Sequence, residues 1–130
     1  MATNVRATFE VTGWDERPLD EIDGAPKWTQ SSVTKSFTGD IDGTSALEYL
    51  MVYASDGTAT FVGLERFRGR IAGRSGTVVL QHVGRFDDGA AKGELTVAAG
   101  SGTEDLGGLG GSGTFVADPG GSMALSVTFD

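Results

Sequence analysis

The sequence predicts an all-β protein of about eight strands that close into one antiparallel barrel. Glycine-threonine pairs recur along the chain, and most of them open a stretch of alternating or β-branched residues; they start at residues 43, 57, 76, 102 and 113. Glycine supplies the turn conformation and threonine begins the strand. Glycine makes up 21 of the 130 residues and is spread through the chain, which is typical of the bends of a barrel.

The first segment alternates between apolar and polar side chains and predicts a strand over residues 5–11. Its apolar face carries Phe9 among its residues, and the other face carries Glu10, which therefore points outward unless a bulge intervenes. Residues 14–26 contain Pro18, Pro26 and five acidic residues, so they are predicted to form a loop. Trp14, at the start of this loop, either closes the mouth of a cavity or simply covers the end of the barrel.

The next two segments are less regular. Residues 27–38 are polar and rich in Ser and Thr, which predicts a strand at an edge or facing solvent. Residues 46–54 are apolar on both faces, which suggests burial on both sides. The outer face of this segment then contacts a neighbouring subunit or lies beneath the 14–26 loop, and a helix is the alternative. Tyr49 and Tyr53 share one face, where they reach a cavity or pack in the core.

The most informative strand spans residues 58–71. Arg66, Arg68 and Arg70 lie on one face, and three arginines are rarely buried without partners. That face is therefore predicted to point outward, which turns Glu65 inward together with the phenylalanines on either side of it, Phe61 and Phe67.

Four further strands complete the barrel. Over residues 77–86, Arg85 is predicted to face outward, which places Leu80, His82 and Phe86 inside. The other three strands are predicted over residues 94–99, 113–117 and 122–129. Residues 100–113 are predicted to form a tight turn around one helical turn at 103–106, whose start is acidic.

The composition limits the classes of function. A length of 130 residues predicts a single domain over residues 1–130, and the absence of cysteine excludes disulfides and thiolate nucleophiles. The net charge of −8 disfavours nucleic acid and anionic membrane surfaces as partners. Neither a signal peptide nor an apolar run of about 20 residues is visible, so a cytoplasmic protein is expected.

Known catalytic motifs do not account for this chain. Residues 108–113 match G-x-G-x-x-G, but a strand follows them rather than the helix that a dinucleotide site needs. Residues 40–43 resemble a calcium loop without its glycine and glutamate positions. With one histidine and no cysteine, no metal site and no cofactor is expected. No serine lies in a nucleophile-elbow pattern.

Three residues are candidates for acid or base chemistry. Glu65, between two phenylalanines, would be desolvated, and desolvation raises the pKa of a carboxylic acid toward a useful range. The alternative is a structural pair between Glu65 and an arginine or His82. His82 is either a base or a hydrogen-bonded core residue. Glu10 enters on a family resemblance described next.

A set of segments, in order and over nearly the whole chain, carries a family resemblance. They are Phe9-Glu10-Val11 with Trp14 and Glu16, residues 37–40 with Gly43, residues 50–53, 61–66, 73–76, 80–82 and 100–103, and Leu106, Gly107, Leu109 and Gly110. In these segments the chain resembles a family of small bacterial proteins, domain of unknown function 3224. The resemblance implies an eight-stranded barrel similar to allene oxide cyclase. In those cyclases a first-strand glutamate contributes to the active site, which would give that role to Glu10, although its flanking residues differ.

Three functions are expected from these observations. The first is a barrel that binds a small hydrophobic molecule, with a lining of Phe61, Phe67, Leu80, Phe86, Trp14 and Tyr53. Such a barrel could be a cofactor-free cyclase or isomerase in which Glu65 or Glu10 moves a proton. The second is a carrier without turnover. The third is a structural oligomer, such as a homodimer, whose lumen is filled by its own side chains.

Overall fold

The computed structural model describes residues 2–117 and 120–129, and most of them form strands. The eight strands are β1 (Thr3–Pro18), β2 (Lys27–Gly39), β3 (Ile41–Tyr53), β4 (Ala59–Ile71), β5 (Arg74–Asp87), β6 (Ala90–Val97), β7 (Leu109–Ala117) and β8 (Gly121–Phe129). One 3-10 turn, Glu104–Leu106, lies between β6 and β7. Within the described residues, no helix has the length and apolar character needed to cross a membrane.

The strands form one closed antiparallel barrel in which each strand pairs with its neighbours in sequence. The barrel closes where β1 pairs with β8, from Thr3 opposite Val127 to Phe9 opposite Gly121. The all-β fold and the closed barrel predicted from the sequence are confirmed. The helix considered for residues 46–54 is wrong, because these residues belong mainly to β3.

Alternation along the strands separates the lumen from the solvent. On β4, Phe61, Glu65, Phe67 and Ile71 are buried, whereas the three arginines are exposed, as predicted. Leu106 of the 3-10 turn is fully buried and closes the core at the end where β6 leads into β7. The opposite end of the barrel, where β5 turns into β6, is the mouth described below.

Three expectations about segments are corrected by the structure. β1 continues to Pro18, so only residues 19–26 form the loop. β2 is neither at an edge nor facing solvent, because it pairs with β1 and β3 and buries Thr29, Ser31 and Lys35 in the lumen. β3 is buried on its inner face only, since Leu50 and Val52 on the outer face are each 43% exposed.

That outer face is part of an exposed apolar row across three strands. Leu50 lies opposite Val62, which lies opposite Val83, and a groove of about 530 Å³ runs beside them. The homodimer expected through this face stays a prediction.

Glycines make room for the aromatic side chains of this narrow barrel. Four aromatic rings each lie against a glycine directly opposite on the neighbouring strand: Tyr49 on Gly63, Phe61 on Gly84, Phe115 on Gly93 and Phe9 on Gly121. At each of these glycines, an added Cβ would lie 2.4–2.7 Å from the nearest atom of the ring. The rings therefore occupy the space that a side chain would need, and they cover backbone that is otherwise bare.

Candidate functional site

A buried polar cluster surrounds Glu65 near the middle of the lumen. The side chain of Glu65 is 0% exposed, and its two carboxylate oxygens contact three different strands. Oε1 lies 2.7 Å from Nε2 of His82 on β5, while Oε2 accepts a hydrogen bond from Ser45 on β3 and lies 3.7 Å from Nζ of Lys35 on β2. Buried charges are tolerated in proteins when they are paired in this way.

His82 connects Glu65 to a tyrosine. Its Nδ1 lies 3.2 Å from the hydroxyl oxygen of Tyr49, and its Nε2 faces the carboxylate. With His82 neutral and Glu65 ionised, Nε2–H donates to Glu65 and the Tyr49 hydroxyl donates to Nδ1. The result is a continuous chain of hydrogen bonds from Tyr49 through His82 to Glu65. Among the described residues, no buried side-chain nitrogen or oxygen is left without a hydrogen-bond partner.

The surroundings set the protonation of this cluster. Burial alone would raise the pKa of Glu65, but the hydrogen bond from His82, the charge of Lys35 and the hydrogen bond from Ser45 together lower its pKa. Burial lowers the pKa of His82, and its contact with Glu65 offsets this only in part. Burial and the charge of Glu65 raise the pKa of Tyr49. The cluster therefore holds an ionised Glu65 beside a neutral imidazole and a neutral phenol.

Lys35 is the cation of the cluster and has an unusual environment for a lysine. It is 3% exposed, and Nζ lies 4.3 Å from the ring centroid of Phe9 and 5.4 Å from that of Phe115. Aromatic faces attract a desolvated ammonium group. Burial lowers the pKa of Lys35, and the neighbouring charge of Glu65 offsets this only in part.

Above the cluster lies a small apolar cavity at the barrel mouth. Its volume is about 90 Å³, and its lining residues are aromatic or aliphatic except for Lys35 and Met51. The lining residues are Phe9, Val11, Trp14, Val33, Lys35, Tyr49, Met51, Phe61, Phe86, Ala91, Phe115 and Ala117. Glu65 and His82 lie one contact deeper, behind Lys35 and Tyr49.

A β-bulge in β1 directs Trp14 toward this cavity. Val11 pairs with Lys35 and Gly13 pairs with Thr34, so Thr12 is an extra residue in β1. The extra residue reverses the alternation of β1, and Trp14 therefore lies on the same face as Phe9. Glu10 precedes the bulge and keeps its outward direction, exposed to solvent.

Beyond Trp14, a second polar cluster completes the mouth. Glu16, also turned inward by the bulge, accepts hydrogen bonds from Trp14 Nε1 at 3.1 Å, from Thr29 Oγ1 at 2.7 Å and from the Tyr53 hydroxyl. Burial together with the contact to Glu16 raises the pKa of Tyr53 to about 12. These bonds hold the end of β1 against β2 and β3, and they fix the Trp14 ring over the mouth.

The structure brings some of the predicted site residues together and leaves others apart. Glu65 and His82 are in direct contact, and the cavity is lined by Trp14, Phe61 and Phe86. Phe86 is 39% exposed and lies at the rim. Phe67 and Leu80 are buried in the core below the cavity, and Tyr53 binds Glu16 at the mouth. Glu10 is separate from all of them, on the outer face of β1.

Sequence reasoning missed Lys35 and Ser45, and for Tyr49 it left open whether the side chain reaches a cavity or packs in the core. The signal for Lys35 was parity: Val33, Lys35 and Phe37 alternate in β2, and two apolar neighbours at this spacing place the lysine on their face. The many serines and threonines of β2 concealed this pattern. Within residues 2–117 and 120–129, no three His, Cys, Asp or Glu side chains lie together so that they could hold a metal ion.

Comparison with known proteins gives a family without an assigned activity. A family model described as "Protein of unknown function (DUF3224)" matches residues 5–129. Among solved structures, the chain is similar to a protein of unknown function from the same family in Shewanella oneidensis MR-1. The two are 26% identical over 100% of this chain and 99% of the other, with a TM-score of 0.82. No curated protein matches the chain. The similarity to allene oxide cyclase stays a prediction.

Proposed function

This chain belongs to the DUF3224 family, and we propose that its barrel binds a small, mainly apolar molecule in the cavity at the mouth. The observation that carries this proposal is the composition of the cavity wall. Aromatic and aliphatic side chains surround about 90 Å³, and two of the lining residues, Lys35 and Tyr49, carry polar groups that are connected to Glu65. A concave apolar site with a few convergent polar groups is typical of small-molecule binding.

The volume of the cavity limits the size of this molecule. A water molecule takes up about 30 Å³ of the liquid, and an apolar cavity of about 150 Å³ is enough for benzene. The cavity at the mouth therefore admits a short chain or part of a ring, and the rest of the ligand would contact Trp14 and Phe86 at the rim. Below the cavity, side chains such as Phe67 and Leu80 are buried in the core, which supports the filled-barrel interpretation for that part of the lumen.

The test uses the fluorescence of Trp14 with benzyl alcohol as the probe. Trp28, the other tryptophan, is first replaced by phenylalanine, so that the emission comes from the mouth alone. We expect a saturable change in emission that is lost in Ala91→Leu, which fills the cavity wall. Ala46→Leu makes the same chemical change on the outer face of β3 and should bind like the parent. Equal binding by both variants, or no binding by the parent, would contradict the proposal.

Native mass spectrometry of the purified protein adds an independent measurement. An apolar molecule that co-purifies and is released on denaturation would identify the class of ligand. The same spectrum reports whether the chain forms the expected homodimer.

A second candidate function, proton transfer to or from the bound molecule, is favoured by the hydrogen-bonded chain from Tyr49 through His82 to Glu65. It would let a cyclase or isomerase move a proton between the cavity and a carboxylate that does not itself reach the cavity. In such an enzyme, Glu65→Gln would abolish turnover of the co-purified molecule while its affinity survives. In a carrier, the same substitution would change the affinity alone.

A further inference from the structure

Lys35 is the one lysine among the described residues that line the cavity, and its Nζ lies near the rings of Phe9 and Phe115, which line the cavity as well. Tyr49 lines the same cavity, and its hydroxyl is hydrogen-bonded to His82. The remaining lining side chains are aromatic, aliphatic or, at Met51, a thioether. An electrophile bound in this cavity would therefore meet Lys35 as its nucleophile.

The amine is held loosely by its carboxylate partner. The 3.7 Å between Nζ and Glu65 Oε2 exceeds the length of about 2.7–3.2 Å of a direct N–H···O hydrogen bond. Its other neighbours are the rings of Phe9 and Phe115, which accept no strong hydrogen bond. Because burial also lowers the pKa of Lys35, its neutral form is more accessible than that of a lysine in water.

We propose that Lys35 condenses with the carbonyl group of a small apolar aldehyde in this cavity and forms an imine. The inference rests on the proposed function, since it names the chemical class of the bound molecule. Glu65 takes one proton from the ammonium group, and the neutral nitrogen then attacks the carbonyl carbon. A second amine proton moves to the former carbonyl oxygen. Glu65 returns its proton to the nitrogen, and one nitrogen proton then passes to the hydroxyl group, which leaves as water.

The charges of the site suit this product. Ammonium and aldehyde give a protonated imine and water, so one positive charge remains at Lys35 and nothing is oxidised or reduced. Glu65 ends as the carboxylate it was at the start and acts as the counter-ion of the imine, while Phe9 and Phe115 contact the same charge. The 3% exposure of Lys35 limits the water that could hydrolyse the product.

Reductive trapping tests this inference in the full chain. The protein is incubated with benzaldehyde and cyanoborohydride, and the benzylated lysines are located by peptide mapping. The chain has three lysines, and Lys27 and Lys92 are exposed, so they report the background reaction within the same molecule. We expect Lys35 to be benzylated about tenfold faster than either, because its amine is desolvated. A rate at Lys35 equal to or below that of Lys27 and Lys92 would overturn the inference.

Benzyl alcohol, which lacks the carbonyl group, separates this inference from the proposed function. In the unmodified chain it should slow benzylation at Lys35 and leave Lys27 and Lys92 unaffected, which requires no variant to fold. If benzyl alcohol changes Trp14 emission but Lys35 is not trapped preferentially, the binding proposal stands and the imine is refuted. If benzyl alcohol has no effect on Trp14 and Lys35 is not trapped, both are refuted. Lys35→Met should lose the fast site.

Discussion

Lys35 and Glu65 face each other across the lumen from β2 and β4, two strands that are not neighbours. Ser45 of the intervening strand β3 donates a hydrogen bond to the same carboxylate oxygen that faces Lys35. The pair therefore connects three strands inside the barrel. A buried ion pair of this kind is weak evidence for stability, because the loss of hydration opposes the attraction between the charges.

Breaking this pair should be more harmful than removing it. We expect Glu65→Gln or Lys35→Met alone to lower the free energy of unfolding by about 3–5 kcal/mol, because each leaves one buried charge without its partner. The double variant should be more stable than the sum of the two effects predicts, since it leaves neither charge. Urea unfolding of all four proteins measures this coupling, and strict additivity would show that the two side chains do not interact.

His82 should stay neutral at pH values where an exposed histidine is half protonated. Burial lowers its pKa below the usual value of about 6.5. It is the only histidine of the chain, so its ring signals in a proton NMR titration need no assignment. In Glu65→Gln the pKa should fall further, because the carboxylate favours the protonated ring. A midpoint at or above the usual value would contradict the burial of the His82 ring.

The barrel should lose stability in acid in two stages. A group whose pKa is lower in the folded than in the unfolded chain stabilises the fold above its unfolded pKa, and this is lost as the pH falls. His82 acts below about pH 6.5 and Glu65 below about pH 4.3, where Glu16 and Asp56 contribute as well. Thermal unfolding between about pH 7 and pH 2 measures both stages. His82→Gln should remove the first stage only; an unchanged first stage would exclude His82 as its cause.

The glycine under Tyr49 should be irreplaceable, whereas a comparable glycine should not. A Cβ at Gly63 would lie 2.5 Å from the Glu48 carbonyl oxygen and 2.7 Å from the Tyr49 ring. We expect Gly63→Ala to destabilise the barrel by about 1–3 kcal/mol through overpacking. Gly110, also half-buried in a strand, would place its Cβ 3.5 Å from the nearest atom, so Gly110→Ala should be tolerated. Urea unfolding of both variants measures this difference in stability, and equal unfolding midpoints would contradict the packing argument.

The sequence was enough to predict which side chains of β4 and β5 point into the barrel. Arginines on one face of each strand point outward, so the residues that alternate with them point inward. That argument placed Glu65 and His82 inside, and both are buried. The contact between them depends on strand register, which the arginine pattern does not specify. It arises because Gly63, two residues before Glu65, lies opposite His82.

The first two strands show where pattern reasoning fails. Alternation in β1 holds as far as Val11, and the bulge at Thr12 then reverses it, so Trp14 and Glu16 face the mouth instead of lying in a loop. No residue of the local sequence requires a bulge at that position. In β2, the hydroxyl groups of Thr29 and Ser31 point inward and form hydrogen bonds with Glu16 of β1 and Met51 of β3. The sequence pattern does not identify these partners.

The seam between β1 and β8 gives this barrel one slow step in its assembly. Every other pairing joins strands that follow each other in the chain, whereas this seam brings residue 3 to residue 127. Pairing β1 with β8 closes a loop over most of the chain, and the entropy cost of that closure comes before the pairing contributes any stability. The hairpins can therefore form early, and the barrel closes late. Phe9, a wall of the cavity, lies on that seam. The cavity wall is therefore completed only when the edges of β1 and β8 pair, and a partly folded chain lacks the cavity.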